Sequence, residues 1–211
     1  MKDKKLLSDI KEYLKCYENQ VLEDWYELIR HISVSETGEG IETCCDWIQK
    51  KMEEIGIQVT KYSVKPAPVL VGRFGNDPEK KTVLIYAHYD VKPAGERKLW
   101  HSDPFVPTVR DGKVYARGSA DNKSPLMAHL KALEYFVRKK MEVPVNVIFV
   151  FEGDEECGSR GLEEFLAEHR TELAADLVFF SDGPKDPSGL PIIALGAKGD
   201  LSIHITVETM K

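Results

Sequence analysis

Two hydrophobic periodicities alternate along this chain. Residues 3–31 and 39–55 carry apolar side chains three and four positions apart, which places those side chains on one face of a helix. Shorter runs rich in β-branched and aromatic residues are typical of strands. Gly56 follows the second helical segment, where glycine commonly ends a helix. The sequence predicts helices at 3–31, 39–55, 123–140 and 159–170, and strands at 57–64, 69–74, 82–87, 106–109, 113–115, 145–151 and 176–180.

The chain from residue 82 onward sets the predicted fold class. Residues 82–87 and 145–151 are almost continuously apolar, which indicates central strands covered on both faces. Strands that alternate with helices predict a three-layer α/β/α domain with a mixed, mostly parallel central sheet. Residues 201–207 alternate apolar and polar side chains, which predicts one more strand, in a half-exposed sheet. No helical pattern follows that strand, so we expect the domain to be truncated.

Composition excludes several functional classes. The 211 residues are 42% hydrophobic and 30% charged, with a net charge of −6 and no basic patch that would indicate a nucleic-acid partner. No apolar run approaches the ~20 residues that span a membrane, and no signal-peptide core follows the basic N-terminus. The four cysteines have neither zinc-finger nor disulfide-framework spacing. We therefore expect a cytoplasmic protein with reduced cysteines and no membrane partner.

Polar side chains follow three of the predicted strands within a few residues. Adjacent carboxylates at the end of an apolar run are costly unless a positive group lies nearby. In open α/β sheets, sites gather outside the carboxyl ends of strands. One histidine among several carboxylates is the composition of a metal site, and it favours a hydrolase in which two metals act on water. The candidates are His88 and Asp90 after the strand at 82–87, Asp121 before the helix at 123–140, Glu155 and Glu156 after the strand at 145–151, and Asp182 after the strand at 176–180.

Each candidate also has a simpler interpretation. A neutral His88 can bind zinc while Asp90 orients its ring, but the two can equally form a metal-free pair. Asp121 can be a helix N-cap. Asp182, followed by glycine and proline, can be a turn residue. We found no nucleophile elbow, phosphate-binding loop or His-Glu-x-x-His motif that would favour another chemistry.

The two adjacent glutamates require different roles. If one coordinates a metal, the other can act as general base on water that the metal activates. The alternative is a pair of exposed loop glutamates, and Asp154 beside Glu155 and Glu156 adds weight to that alternative.

An ordered series of motifs resembles the co-catalytic zinc metallopeptidase family of carnosinases, peptidase V-type dipeptidases, glutamate carboxypeptidases, aminoacylases and succinyl-diaminopimelate desuccinylases. The resemblance extends over roughly residues 15 to 211. Ala116 and Ser124 depart from the family pattern, which has glycine at both places, and neither departure removes a ligand. The matching pieces are His88-Tyr89-Asp90-Val91-Lys92-Pro93, Trp100 with Asp103-Pro104-Phe105, residues 111–118, Asp121-Asn122-Lys123, residues 152–159 and Ser181-Asp182.

The resemblance implies a role for each candidate. One zinc ion would be held by His88, Asp121 and Asp182, with manganese or cobalt as alternative metals. A second zinc ion would be bridged by Asp121 and also held by Glu156. The resemblance further implies that Glu155 is the general base and later proton donor, that Asp90 orients His88, and that the Asp121–Asn122 peptide bond is cis.

The resemblance also implies a substrate and a domain plan. Asp182 and Trp100 favour dipeptidases over deacylases of N-acyl amino acids, and a non-catalytic metal-binding or interaction domain is a third possibility. Residues 1–197 would be the N-terminal part of the catalytic domain, and residues 198–211 would begin an inserted lid domain that makes the parent a homodimer. A final histidine ligand would lie beyond the chain, and His204 is not expected to replace it. We therefore expect the fragment to bind one zinc better than two and to be weakly active or inactive.

Overall fold

Five strands form the central sheet, in the order β1-β2-β6-β3-β7. The computed structural model describes residues 2–183, 188, 190, 192, 193, 196, 199, 201 and 203–209. The strands are β1 (Gln58–Tyr62), β2 (Val69–Phe74), β3 (Thr82–His88), β4 (Thr108–Arg110), β5 (Lys113–Tyr115), β6 (Asn146–Glu152) and β7 (Leu177–Phe180). The helices are α1 (Lys2–Arg30), α2 (Ile41–Ile55), α3 (Lys123–Arg138) and α4 (Leu162–Glu168), with short 3₁₀ turns at Arg97–Leu99 and Glu155–Cys157.

Strand directions confirm the predicted mixed sheet. β2 is antiparallel to both of its neighbours, β1 and β6, whereas β3 is parallel to β6 and to β7. Four strands of this sheet therefore run in one direction and β2 runs against them. The register places His88 opposite Glu152 and Tyr86 opposite Phe180. The carboxyl ends of β3, β6 and β7 consequently lie side by side at one edge of the sheet.

Hydrophobic side chains cover both faces of the sheet. On one face, Phe149 and Phe151 of β6 pack in a cluster with buried residues of α1, α2 and α3. On the other face, Ile148 and Val150 pack with Phe165 of α4. This alternation along a fully buried β6 confirms the three-layer α/β/α fold. Within the described part of the chain, no helix combines the length and apolar character that crossing a bilayer requires.

The hairpin of β4 and β5 forms where the sequence predicts it. Asp111 and Gly112 join the two strands with φ angles of 49° and 70°. Positive φ at both central residues is the geometry that two-residue hairpins need, and Asp-Gly is a preferred pair for it. The strand before the turn begins two residues later than predicted, at Thr108.

The predicted strand at residues 201–207 is wrong for the residues that the structure describes. Leu201 and residues 203–207 have no regular secondary structure, and their apolar side chains are exposed. Alternation specifies which side chains share a face, but a strand also needs the backbone of a neighbour, and none pairs with these described residues. Ser202, and residues 197 and 198 at the predicted domain boundary, lie outside the described residues.

A buried lysine ties α1 to the start of α3. Lys123 is 1% exposed, and its Nζ donates to the carbonyl oxygens of Leu28, at 3.2 Å, and His31, at 2.5 Å. Carbonyl oxygens at a helix C-terminus lack hydrogen-bond donors within the helix, and the ammonium group of Lys123 provides a donor for these two. Burial lowers the pKa of Lys123. The N-terminal helix is thereby attached to the segment that carries Asp121.

Replacing Lys123 with methionine is expected to lower the free energy of unfolding by about 1–3 kcal/mol for each carbonyl left without a donor. Methionine keeps most of the apolar stem, so the loss reports the ammonium contacts. Urea unfolding of both proteins measures it. Lys98→Met is the control, because Lys98 is an exposed lysine that pairs with Glu96. An equal stability loss in the two variants would contradict the prediction.

Candidate metal centre

His88 ends β3 with both ring nitrogens facing oxygen atoms. The residue is fully buried. Nδ1 lies 3.1 Å from the backbone oxygen of Asp90 and 3.3 Å from its Oδ1. Nε2 lies 3.0 Å from Oδ1 of Asp121, 3.3 Å from Oδ2 of Asp182 and 3.8 Å from Oε2 of Glu155. Nδ1 therefore faces Asp90, and Nε2 faces three carboxylates.

Three of these residues form a group that could hold a metal ion. One ligand atom from each of His88, Asp121 and Asp182 lies within 4.8 Å of the others. One imidazole nitrogen and two carboxylate oxygens are ligands that suit zinc. The side chain of Asp121 is 63% exposed, so the group opens to solvent. The donor set fits a divalent cation, because several negative charges converge here on a single imidazole.

The pKa values in the centre follow from burial and from this excess of negative charge. Burial disfavours the charged ring of His88, but Asp90, Glu155 and Asp182 outweigh burial and raise its pKa to about 9. Burial raises the pKa of Glu155, and the charges of Asp182 and Glu156 add to that effect. Burial likewise raises the pKa of Asp121, with Glu156 and Asp182 adding to it. A bound cation would relieve the repulsion that these shifts report.

Asp90 connects two strands of the centre. Its buried carboxylate accepts hydrogen bonds from the backbone N–H of Glu155, at 3.2 Å on Oδ1, and of Glu156, at 3.1 Å on Oδ2. Burial disfavours the charge of Asp90, but hydrogen bonds from His88 and Ser35 outweigh burial and lower its pKa. The carboxylate that faces the His88 ring therefore also fixes the turn after β6.

The three adjacent acidic residues have separate environments. Asp154 is buried, and Nε and Nη2 of Arg160 donate to its two oxygens at 2.9 and 2.6 Å. Glu155 faces His88. Glu156 is paired with Lys92, whose Nζ lies 2.8 Å from Oε2 and 3.2 Å from the backbone oxygen of Glu156. Neither glutamate is a fully exposed loop residue, contrary to the simpler interpretation.

Glu156 stands apart from the metal-binding group. Among the described residues, that group contains His88, Asp121 and Asp182 but not Glu156. The contact with Glu156 raises the pKa of Lys92, and the Lys92 ammonium group lies 2.8 Å from the Glu156 carboxylate. The second metal position stays a prediction.

Asp121 lies at a bend before α3. The Asp121–Asn122 peptide bond is cis. Asn122, not Asp121, occupies the N-cap position of α3, and no side-chain hydrogen bond caps the helix there. The carboxylate of Asp121 is directed at His88 instead, so the N-cap interpretation of Asp121 does not hold.

Two residues near the centre, Glu152 and His129, were given no role by the sequence analysis. Glu152 ends β6 as a buried carboxylate whose Oε1 accepts hydrogen bonds from Tyr86, at 2.6 Å, and Ser159, at 2.7 Å. Its position as the first charged residue after an apolar run was the available signal. His129 of α3 contacts Ser181, at 2.7 Å between Nε2 and Oγ. Helical spacing placed His129 on a helix but gave no indication of that contact.

Comparison with known proteins gives consistent relatives. The family model described as "Peptidase family M20/M25/M40" matches residues 84–209. The Cys-Gly metallodipeptidase dug1 of Schizosaccharomyces pombe is 41% identical over 164 residues, which are 75% of this chain and 34% of that protein. The chain therefore spans about a third of the length of that curated relative.

Two solved structures share the fold. Human carnosine dipeptidase 1 superposes with a TM-score of 0.80 at 29% identity, over 84% of this chain and 41% of that one. An M20 family metallo-carboxypeptidase of Sulfolobus solfataricus superposes with a TM-score of 0.76 at 36% identity, over 80% of this chain and 38% of that one. The proteins similar to this chain thus include dipeptidases as well as a carboxypeptidase.

Proposed function

Because this chain belongs to peptidase family M20/M25/M40, we propose that it is the part of a metal-dependent dipeptidase that carries the first metal site and the general base. The observation that carries the proposal is the convergence of three carboxylates on Nε2 of the buried His88. The similarity to metallodipeptidases supports hydrolysis of small peptides.

The proposed ligands of the first ion are His88, Asp121 and Asp182. Zinc is the proposed metal, with manganese or cobalt as alternatives. When bound, the metal would supply the Lewis acidity that makes water a nucleophile at neutral pH. Asp121 and Glu156 are the proposed protein ligands of a second ion, for which Lys92 must release Glu156. Asp90 orients His88 by accepting from its Nδ1.

Glu155 is the proposed proton carrier. A carboxylate with a raised pKa can accept a proton from the attacking water and pass it to the leaving nitrogen of the amide. Burial and neighbouring carboxylates raise the pKa of Glu155 in that direction. The hydrogen bond from its backbone N–H to Asp90 holds the turn, so the Glu155 side chain stays beside His88.

The proposal also covers the domain plan of the chain and of its longer parent. Residues 1–197 would be the N-terminal part of the catalytic domain, and residues 198–211 would begin the lid through which the parent dimerises. We propose that the 211-residue chain alone has little turnover, because the resemblance assigns a further histidine ligand to a later segment. The cytoplasmic location remains a prediction.

The substrate class is tested with a longer form of the protein that matches its relatives in length. We expect it to hydrolyse dipeptides with a free N-terminus faster than N-acetyl amino acids, and to lose activity when a chelator removes the metal. Comparing kcat/KM for the two substrate series makes the measurement. A preference for N-acetyl amino acids would instead identify a deacylase, and no hydrolysis of either series would favour a non-catalytic domain.

A further inference from the structure

β7 is the least buried of the strands that lead to the centre. Among the described strands it pairs only with β3. Its side chains are largely exposed, with Leu177 at 55% and Phe180 at 63%, whereas β6 is buried along its whole length. Asp182 lies two residues after the end of β7, so the packing of the strand gives that carboxylate little support. Something else must fix its position if Asp182 is to serve as a ligand.

α3 supplies a contact at this point. Nε2 of His129 lies 2.7 Å from Oγ of Ser181, the residue before Asp182. The His129 ring also meets the Phe179 ring edge to face, with centroids 5.5 Å apart. Burial lowers the pKa of His129 and so favours the neutral ring, which can exchange a hydrogen bond with the hydroxyl.

The same helix also follows Asp121. α3 begins at Lys123, two residues after Asp121, and Lys123 is anchored on the carbonyls of Leu28 and His31. The first turn of α3 follows Asp121, and its second turn contacts the residue before Asp182. α3 is therefore adjacent in sequence to Asp121 and is joined to the segment that carries Asp182 by the contact between His129 and Ser181. A rigid helix in this position can set the distance between the two carboxylates.

We propose that His129 is a positioning residue that holds Asp182 through Ser181 and so tunes the metal affinity of the centre. The inference rests on the proposed function, because it takes Asp182 as a ligand. His129 has no contact with the ligand atoms themselves, so it acts only by placing the segment that bears Asp182. Loss of an outer contact that orients a ligand typically costs about 10–100-fold in metal affinity.

The test is a titration of the metal-free 211-residue chain with Co²⁺, followed by visible absorption. His129→Phe keeps an aromatic ring against Phe179 but removes the nitrogen that contacts Ser181. We expect its Kd for Co²⁺ to rise about 10–100-fold. Ser181→Ala should give a similar rise, and the double variant should be no weaker than either single variant, because all three lack the same contact.

A matched control separates positioning from general stability. His169→Phe alters another ring that packs against aromatic neighbours, on α4, and is expected to leave the Kd for Co²⁺ unchanged. Unchanged affinity in Ser181→Ala would overturn the proposal, as would fully additive losses in the double variant. Ser181→Ala removes only a hydroxyl group, so the test stands even if His129→Phe does not fold.

The result also distinguishes this inference from the proposed function. Normal Co²⁺ binding by the unmodified chain that is lost in Asp121→Ala, but unaffected by Ser181→Ala, would refute only the role of His129. Absence of Co²⁺ binding by the unmodified chain, or binding that survives Asp121→Ala, would refute the first metal site and the inference together.

Discussion

Replacing Glu155 with glutamine is expected to lower kcat for dipeptide hydrolysis by about 10²–10⁴-fold in a form of the protein as long as its relatives. Glutamine has nearly the same shape but cannot accept the proton of the attacking water. His88, Asp121 and Asp182 stay in place, so metal content should be unchanged. Steady-state kinetics together with metal analysis of the same preparation checks both parts of the expectation.

The control for this variant is Glu163→Gln, at an exposed glutamate in the first turn of α4. It makes the same chemical change away from the centre and should leave kcat unaltered. If Glu155→Gln kept the kcat of the unmodified enzyme, another group would have to move the proton. If it lost metal as well as activity, Glu155 would be a ligand and its assignment as the base would be wrong.

Replacing Asp121 with alanine is expected to reduce the zinc affinity of the 211-residue chain by more than about 100-fold, since removing a ligand costs more than removing an outer partner. Oδ1 of Asp121 is the carboxylate oxygen nearest to Nε2 of His88, at 3.0 Å. Without it, only His88 and Asp182 remain of the proposed first set. Metal analysis after dialysis against dilute zinc measures the loss.

Asp103→Ala is the control for the metal measurement. Asp103 is a half-exposed aspartate that pairs with Arg97 outside the centre. About one zinc per chain in the unmodified protein and in this control, but not in Asp121→Ala, would agree with the stoichiometry of a single site. Zinc that survives Asp121→Ala would place the metal elsewhere, and no zinc in any variant would mean that these ligands do not suffice.

Apolar runs that end in polar residues predicted the strand ends of the centre well. Residues 82–87 and 145–151 are continuous enough to identify buried strands, and parallel pairing brings their carboxyl ends together. His88 and Glu155 could therefore be placed near each other from sequence alone. Such reasoning works because burial on both faces leaves little freedom in where a strand lies.

Contacts between helices and distant segments could not be predicted in this way. Helical spacing describes the face of α3 that carries Leu126 and Leu130, but it does not show that His129 meets Ser181. Lys123 is charged, as surface residues usually are, and only the tertiary arrangement shows that it donates a hydrogen bond to a carbonyl oxygen near the end of α1. At residues 201–207 the sequence predicted a strand that the described residues do not form. Alternation of apolar and polar side chains carries no information about a partner strand.

If His88, Asp121 and Asp182 hold a metal ion as proposed, the parallel arrangement of β3, β6 and β7 determines when that ion can bind. His88 and Asp121 lie 33 positions apart in sequence, and Asp182 comes from a third segment. Closing such loops costs entropy that is recovered only when the strands pair, so the denatured chain does not hold these three side chains together. A metal ion would then enter a sheet that has already formed, and it would prolong the lifetime of the native state rather than hasten folding.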